Sequence, residues 1–129
     1  MTCYKNALNS FTYRHDSPSF SESVLNQFGD YNFSRLNLEQ FSVNDLHLNV
    51  LRLNLSHNNI FELRFIHCFP NIRVLNILDT LITDFECLKY LQKLRMLFVD
   101  EKYFDAVVQI LGTDKRKRKI WINGMKLVI

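Results

Sequence analysis

The chain has 129 residues, of which 47% are hydrophobic and 22% charged, a balance that supports one folded core and excludes wholesale disorder. Three glycines and two prolines exclude collagen-like and low-complexity classes, and no apolar run approaches the about 18 residues that a membrane-spanning helix requires. The net charge is +3, and five consecutive Lys or Arg residues at positions 115–119 supply it, because the other 11 basic residues are outnumbered by 13 acidic ones.

The first 27 residues are rich in polar side chains and do not share the periodicity of the rest, so we expect an N-terminal arm or cap over residues 1–27. They contain no apolar stretch of the kind that a signal peptide requires. The three cysteines lack metal-ligand spacing and are expected to stay reduced. Together these features predict a cytoplasmic protein, with the nucleus as the alternative location.

From residue 28 to residue 112, apolar side chains recur with a period of 22 residues. Three consecutive blocks coincide at this spacing: Val50, Leu53, Leu55 and Ile60; Ile72, Leu75, Ile77 and Ile82; Leu94, Leu97, Val99 and Phe104. One step earlier, an aromatic block that begins at Phe28 is less regular but in phase. Because one such unit is too short to bury its own apolar face, the period predicts stacked units that share a continuous core.

The central block, VLRLNLSHNNI at residues 50–60, resembles the leucine-rich repeat pattern L-x-x-L-x-L-x-x-N-x-L. The unit length is similar to that of the 22-residue subfamily, which includes regulatory subunits of type-1 protein phosphatase and short repeat proteins of ribonucleoproteins and axonemal motors. The resemblance implies an α/β fold, a leucine-rich-repeat solenoid of four or five repeats. Short parallel β-strands would form its concave side and helical turns its convex side.

Within a repeat, the alternation of Leu53 and Leu55 predicts a short strand that directs both side chains into the core. Asn58 is expected to turn inward after the strand and to bond backbone groups at the bend, whereas Thr80 replaces it in the next repeat. The segments that return to the next strand are predicted to be helical, the last of them over residues 103–111.

Residues 113–129 are predicted to combine the basic segment with a C-terminal capping strand. Residues 120–122 (Ile-Trp-Ile) are expected to add one more strand, arriving 23 rather than 22 residues after Leu97. The Asn123-Gly124 pair then predicts a tight turn, after which residues 125–129 close the open end of the stack.

No group of residues indicates catalysis or a cofactor. Residues 15–17 (His-Asp-Ser) supply the residue types of a hydrolase triad, but neighbours in sequence cannot adopt the geometry of a proton relay. His47, His57 and His67 recur every ten residues, out of step with the 22-residue period, so we expect them to be scattered rather than to bind a metal. We therefore expect no enzyme activity, no cofactor, no metal site and no small-molecule substrate.

Side chains between the buried positions of each strand are expected to point outward and to form columns across the sheet. One predicted column reads Asn32, Asn54, Asn76, Phe98 and Trp121. Its neighbour reads Asp30, Arg52, Val74, Met96 and Lys119. Both columns become apolar toward the C-terminal half, which predicts a protein-binding patch of Val74, Leu78, Met96, Phe98 and Trp121. The alternative is that the N-terminal arm or the C-terminal tail covers this patch.

Basic residues predict a second kind of surface. Arg73 and Arg95 are expected to share a column with Arg118, which would extend the basic run into a stripe, and Trp121 to stack on a base. The predicted nucleic-acid contacts are Arg73, Arg95, Lys115, Arg116, Lys117, Arg118 and Lys119. Because no sequence-reading motif is present, we expect contacts to the RNA backbone and its shape. The alternatives for the run are a solvated loop and a nuclear-import signal.

These observations favour a non-catalytic interaction module that serves, with other proteins, as a small accessory or structural subunit of a large assembly. The basic run favours a ribonucleoprotein, of which the ribosome is the commonest, with contacts to the RNA backbone and none to a membrane. The alternative is a protein-only adaptor or regulatory subunit, similar to a phosphatase regulator or a motor light chain, that binds one protein on its concave face.

Overall fold

The computed structural model describes residues 11–13, 29–41, 45–113 and 119–128. Within these ranges the strands are β1 (Phe11–Tyr13), β2 (Asp30–Asn32), β3 (Leu38–Phe41), β4 (Arg52–Asn54), β5 (Val74–Asn76), β6 (Met96–Phe98), β7 (Lys119–Ile122) and β8 (Met125–Val128). The helical segments in the same described ranges are three 3₁₀ helices (Arg64–Cys68, Glu86–Tyr90 and Glu101–Tyr103) and one α-helix, α1 (Phe104–Leu111). None of the helices in the described part of the chain has the length and apolar character needed to span a membrane.

Six of these strands form one mixed sheet in the order β2-β4-β5-β6-β7-β8. Strands β2, β4, β5, β6 and β7 are parallel, and β8 pairs antiparallel with β7. Strand β1, which lies within the predicted N-terminal arm, pairs antiparallel with β3 in a separate two-stranded sheet. The fold is therefore α/β with a mostly parallel sheet, as the sequence predicts at this level.

The 22-residue period sets the pairing of the parallel strands. Tyr31 lies opposite Leu53, Leu53 opposite Leu75, and Leu75 opposite Leu97, and all four side chains are buried. Because side chains alternate between the two faces of a strand, one shared register places every middle residue in the same core. The predicted stacking of Leu53, Leu75 and Leu97 on neighbouring parallel strands is confirmed.

The segments that return from one strand to the next pack against this core. Two of them form single 3₁₀ helices, in which Ile66 N–H donates to Leu63 C=O and Leu88 N–H donates to Phe85 C=O, both at 3.0 Å. All four of these side chains are buried. The last return segment is the predicted longer helix, α1, which directly follows the third 3₁₀ helix.

Asn58 turns inward after β4 and is only 4% exposed. Its Nδ2 donates to three backbone carbonyls, and its Oδ1 accepts from two backbone N–H groups, at distances of 2.8–3.1 Å: Phe33, Leu55 and Ser56, then Leu36 and Leu38. One side-chain amide thus forms hydrogen bonds with backbone groups at the bend of its own unit and at the bend of the preceding unit. Thr80, 22 residues later, makes one comparable bond, from Oγ1 to the carbonyl of Ile77 at 3.0 Å.

The turn that follows each strand is also repeated. The terminal asparagines of β2, β4 and β5 each accept a hydrogen bond of 3.0 Å, on Oδ1, from the backbone N–H two residues later. A left-handed backbone then occurs at three residues that are 22 positions apart, with φ of 58°, 58° and 54°: Arg35, His57 and Asp79. This conformation was not predictable from the sequence, because none of the three residues is glycine.

Strand β7 is present as predicted, but its register differs. Leu97 pairs with Ile122 rather than with Ile120, so Trp121 lies beside Met96 and not beside Phe98. The predicted place of Trp121 in the Phe98 column, and that of Lys119 in the Met96 column, are therefore wrong. A shift of two residues keeps the same side chains buried, so the alternation alone could not distinguish the two registers.

The side chain of Asn123 stabilises the observed register. Its Oδ1 accepts from Val99 N–H at 2.9 Å, its Nδ2 donates to Val99 C=O at 2.7 Å, and its own N–H donates to Leu97 C=O at 2.9 Å. Asn123 and Gly124 have φ of 49° and 85°, as the tight turn of a two-residue hairpin requires, which confirms the predicted turn before β8.

Stability is expected to fall in mild acid, in part through His67. Its ring centre lies 4.3 Å from that of Tyr90, and its buried Nε2 has no hydrogen-bond partner among the described residues. Burial lowers the pKa of His67 below its ordinary value of 6.5, so the unfolded chain binds the proton more readily. The free energy of unfolding should therefore decrease as the pH falls through the ordinary value toward the lowered one.

This expectation is tested with denaturant melts of the wild type and of His67→Phe between about pH 7 and about pH 5. The variant keeps a ring but has no group to protonate, so its stability should decline less over this range. Burial also lowers the pKa of His47, so a residual decline is expected in the variant. Equal declines for the two proteins would contradict the role of His67.

Candidate functional site

The edge of the sheet at which β5, β6 and β7 begin carries an open cavity of about 640 Å³. We call this cavity the basic groove. It is lined by Arg73, Gln92, Lys93, Leu94, Arg95, Lys119 and Trp121. The described residues that line it include four cationic side chains, one amide and one indole, and none of them is acidic.

The sheet fixes the backbone on one side of the basic groove. Arg73 and Arg95 immediately precede β5 and β6, and Arg95 N–H donates to Arg73 C=O at 2.8 Å. Trp121 N–H donates in turn to Arg95 C=O, also at 2.8 Å. Because neighbouring strands lie about 4.8 Å apart, the three side chains start from evenly spaced points on a rigid edge.

The opposite side of the basic groove comes from the chain before β6. Lys93 and Gln92 lie in the turn after the 3₁₀ helix Glu86–Tyr90, and both are exposed. Leu94, which follows them, is 1% exposed and anchors the turn in the core. Lys119 is the first residue of β7. Because Trp121 lies opposite Met96, Lys119 lies two residues before the level at which β6 begins.

The positive charge of the basic groove is not balanced by the described part of the chain. Arg73, Lys93, Arg95 and Lys119 are exposed, and none forms an ion pair with another described residue. Elsewhere on the same sheet, in contrast, Arg52 binds Asp30 through Nη1 at 2.8 and 3.0 Å. Four exposed cations around one cavity produce a positive potential that attracts anions.

Trp121 adds an aromatic ring to this cationic surface. Its side chain is 41% exposed, and its register partners are Met96 on β6 and Lys126 on β8. The Nζ of Lys126 lies 6.0 Å from the centre of a Trp121 ring, at the outer limit of a cation–π contact. Lys126 is therefore a fifth cation beside the indole.

Four residues of the predicted protein-binding patch lie side by side on the outer face of the sheet, opposite the core, and they border two different cavities. Val74, Met96 and Trp121 are successive register partners, and Phe98 follows Met96 on the same face. Trp121 lines the basic groove, whereas Val74 and Phe98 line a second cavity of about 280 Å³ that we call the outer-face groove. Leu78 is half-buried beyond the end of β5 and lines neither groove.

The outer-face groove is more polar than the predicted patch. Besides Val74 and Phe98 it is lined by Asp30, Tyr31, Asn32, Arg52, Leu53, Asn54 and Asn76. Two of these lining residues, Arg52 and Asp30, form an ion pair with each other. Its volume is less than half that of the basic groove.

Of the predicted nucleic-acid contacts, the structure brings Arg73, Arg95 and Lys119 together in the basic groove. Lys115, Arg116, Lys117 and Arg118 lie outside the described residues. The predicted column of Arg118 with Arg73 and Arg95 therefore also lies outside the described residues. Within the described residues, the basic surface is formed by Arg73, Lys93, Arg95 and Lys119 around the basic groove.

Sequence reasoning missed Gln92, Lys93 and Lys126. A two-residue hairpin at Asn123-Gly124 pairs Trp121 with Lys126, so the position of Lys126 beside Trp121 could have been derived from the predicted turn. Nothing comparable in the sequence indicated that Gln92 and Lys93 line the basic groove, because their position depends on the conformation of the turn before β6.

The three histidines among the described residues do not come together. His57 Nδ1 lies 2.9 Å from Asp79 Oδ2, His47 stacks on Phe69, and His67 contacts Tyr90. In the part of the chain that the structure describes, no three His, Cys, Asp or Glu side chains are arranged to hold a metal ion.

Comparison of the chain with protein-family models, with curated proteins and with solved structures found no match. The function is therefore inferred from the residues of the chain itself.

Proposed function

We propose that this chain is a short leucine-rich-repeat solenoid that acts as a non-catalytic accessory subunit of a large ribonucleoprotein such as a ribosome. In this proposal the basic groove binds the RNA backbone, other proteins of the assembly are further partners, and the location is cytoplasmic or nuclear. The observation that carries it is the cluster of four exposed cations around one open groove, none of which is ion-paired with a residue that the structure describes.

The solenoid is supported by repetition at three levels. Strand pairing follows the 22-residue spacing from β2 to β6, so equivalent residues of successive units lie side by side. The Asn-terminated strand and the left-handed residue three positions after it recur with the same spacing. The single buried Asn58 occupies the asparagine position of the repeat pattern and bonds two neighbouring units.

Phosphate groups are the anions that this groove fits best. Arg73 and Arg95 present planar guanidinium groups, which bind phosphate oxygens in a bidentate manner, and Lys93 and Lys119 add point charges. Such contacts position a nucleic acid without reading its sequence. The groove is at a sheet edge and open to solvent, so it suits a long polyanion better than an enclosed small ligand.

The alternative, a protein-only adaptor, is favoured by one observation. Phe98 and Val74 expose apolar surface in the outer-face groove, and aromatic side chains of this kind often anchor protein interfaces. In that case removal of Phe98 would reduce partner binding, whereas removal of the cations in the basic groove would not.

The proposal predicts that the variant Arg73→Gln/Arg95→Gln/Lys119→Gln binds RNA at least about tenfold more weakly than the wild type at low salt. All three side chains are exposed and form no ion pair with a described residue, so the thermal melt should stay nearly unchanged. Fluorescence anisotropy with a labelled RNA oligonucleotide measures the affinity.

The matched control is Arg64→Gln/Lys89→Gln/Lys102→Gln, which removes three exposed cations on the 3₁₀ helices, outside the basic groove. We expect this control to bind RNA nearly as well as the wild type. Equal RNA affinity of the wild type and the groove variant would refute the proposed function, and a loss as large in the control would show that only net charge matters.

A further inference from the structure

We propose that the RNA held by the basic groove is single-stranded, with one unpaired base stacked on Trp121. This inference rests on the proposed function and adds the kind of RNA and the residue that selects it. It follows from the position of an exposed indole between cations that by themselves suffice to bind phosphates.

The indole is an unusual component of a site that binds only phosphates. Trp121 alternates with the buried Ile120 and Ile122, so the strand directs its ring to the outer face of the sheet and into the basic groove. There it is 41% exposed among four cations that form no ion pair with a described residue. The part of a nucleic acid that stacks favourably on such a ring is the π-face of a base, because the phosphates of the nucleic acid can bind the cations.

An RNA duplex cannot stack one of its internal bases on the Trp121 ring. In an A-form helix the bases are stacked on one another, and the deep, narrow major groove keeps side chains from reaching them. Along its length a duplex could therefore contact the basic groove through its phosphates and its shallow minor groove, but not through the face of a base. A single strand presents the face of each base together with the flanking phosphates, which matches both components of the site.

The surroundings of Trp121 fit a nucleotide. The volume of about 640 Å³ lies within the range of about 300–1,000 Å³ that is typical of pockets for small ligands, so a base, its sugar and a phosphate can enter together. Lys126 Nζ, 6.0 Å from the ring centre, is within reach of a phosphate next to the stacked base. The amide of Gln92 carries both a donor and an acceptor, which suits the edge of any base.

Trp121 is the only tryptophan in the chain, so its fluorescence reports on the proposed contact directly. The wild-type protein is titrated at low salt with a single-stranded RNA oligonucleotide and with a blunt-ended RNA duplex of the same length. We expect the single strand to quench the emission as it binds, because a base stacks on the ring. The duplex should bind more weakly and leave the emission nearly unchanged.

Two substitutions separate stacking from charge. Trp121→Ala should weaken binding of the single strand by about 5- to 150-fold and change the affinity for the duplex little, whereas Trp121→Tyr should retain most of the wild-type affinity. Phe98→Ala is the matched control, because it removes another ring from the same face but outside the basic groove, and it should leave both affinities unchanged.

The outcomes distinguish this inference from the proposed function. If the single strand and the duplex bind equally well, without quenching and without an effect of Trp121→Ala, the stacking is refuted while the phosphate contacts remain supported. If neither RNA binds at low salt, the proposed function and the inference both fail. Quenching is measured on the wild type, so it stays decisive even if Trp121→Ala folds poorly.

Discussion

Replacement of Leu75 with Ala is expected to lower the free energy of unfolding by about 2–5 kcal/mol. Leu75 is fully buried in the middle of the parallel sheet, with Leu53 on one neighbouring strand and Leu97 on the other. Both neighbours are held by their own strand pairing, so the cavity cannot collapse without disturbing two units. Denaturant melts followed by circular dichroism measure the loss.

The matched control for this prediction is Leu81→Ala. Leu81 is the same residue type six positions later, but its side chain is 59% exposed, so the substitution should change stability by no more than about 0.5 kcal/mol. A loss for Leu75→Ala as small as that for Leu81→Ala would contradict the shared core of the three units.

Replacement of Asn58 with Ala is expected to cost about 3 kcal/mol or more. The substitution removes one hydrogen bond from each of three carbonyls and two N–H groups, and most of these groups are buried where water does not replace the amide. The lost bonds link two neighbouring units, so the N-terminal part of the sheet should also lose protection. Hydrogen exchange at Leu36 and Leu38 measures this second effect.

Asn59→Ala is the matched control, because Asn59 is exposed and the substitution keeps its backbone bond to Leu38. It should leave the melting temperature nearly unchanged. Asn58→Thr should lie between the two, since Thr80 occupies the equivalent position of the next unit with a single bond to the backbone. An Asn58→Ala variant as stable as Asn59→Ala would show that the buried amide does not hold the units together.

The parallel sheet could be predicted from the sequence because its signal is repeated. Each copy of the apolar pattern independently places its middle leucine in the core, and three copies in phase leave little freedom in the pairing of β4, β5 and β6. The inward turn of Asn58 was also predictable. A bend after a strand leaves backbone N–H and C=O groups unpaired, and a short side-chain amide at that position can form hydrogen bonds with them.

The register of β7 could not be predicted in the same way. This strand follows a segment that breaks the 22-residue spacing, and both the predicted and the observed register bury Ile120 and Ile122. The choice depends on three hydrogen bonds of Asn123 to the backbone of Leu97 and Val99. Such contacts between a turn and a distant strand have no periodic signature in the sequence.

The site was predictable in composition but not in arrangement. Arg73, Arg95, Lys119 and Trp121 were identified from the sequence, and Trp121 was assigned both to the apolar patch and to the stacking of a base. The two-residue shift of β7 moves its ring from the level of Phe98 to that of Met96, nearer the strand starts where the cations are. The register of β7, which the apolar alternation alone does not determine, thus decides how close this ring lies to the basic groove.

The most direct test of the central claim is the salt dependence of RNA binding by the wild type and by Arg73→Gln/Arg95→Gln/Lys119→Gln. Each phosphate of a single strand that a cation neutralises contributes about 0.7 to the slope of log affinity against log salt concentration. Loss of three such contacts should therefore flatten the slope by about 2, and residues 115–118, which are the same in both proteins, do not affect this difference. Identical slopes would contradict the account, because they would show that the basic groove does not contact phosphates.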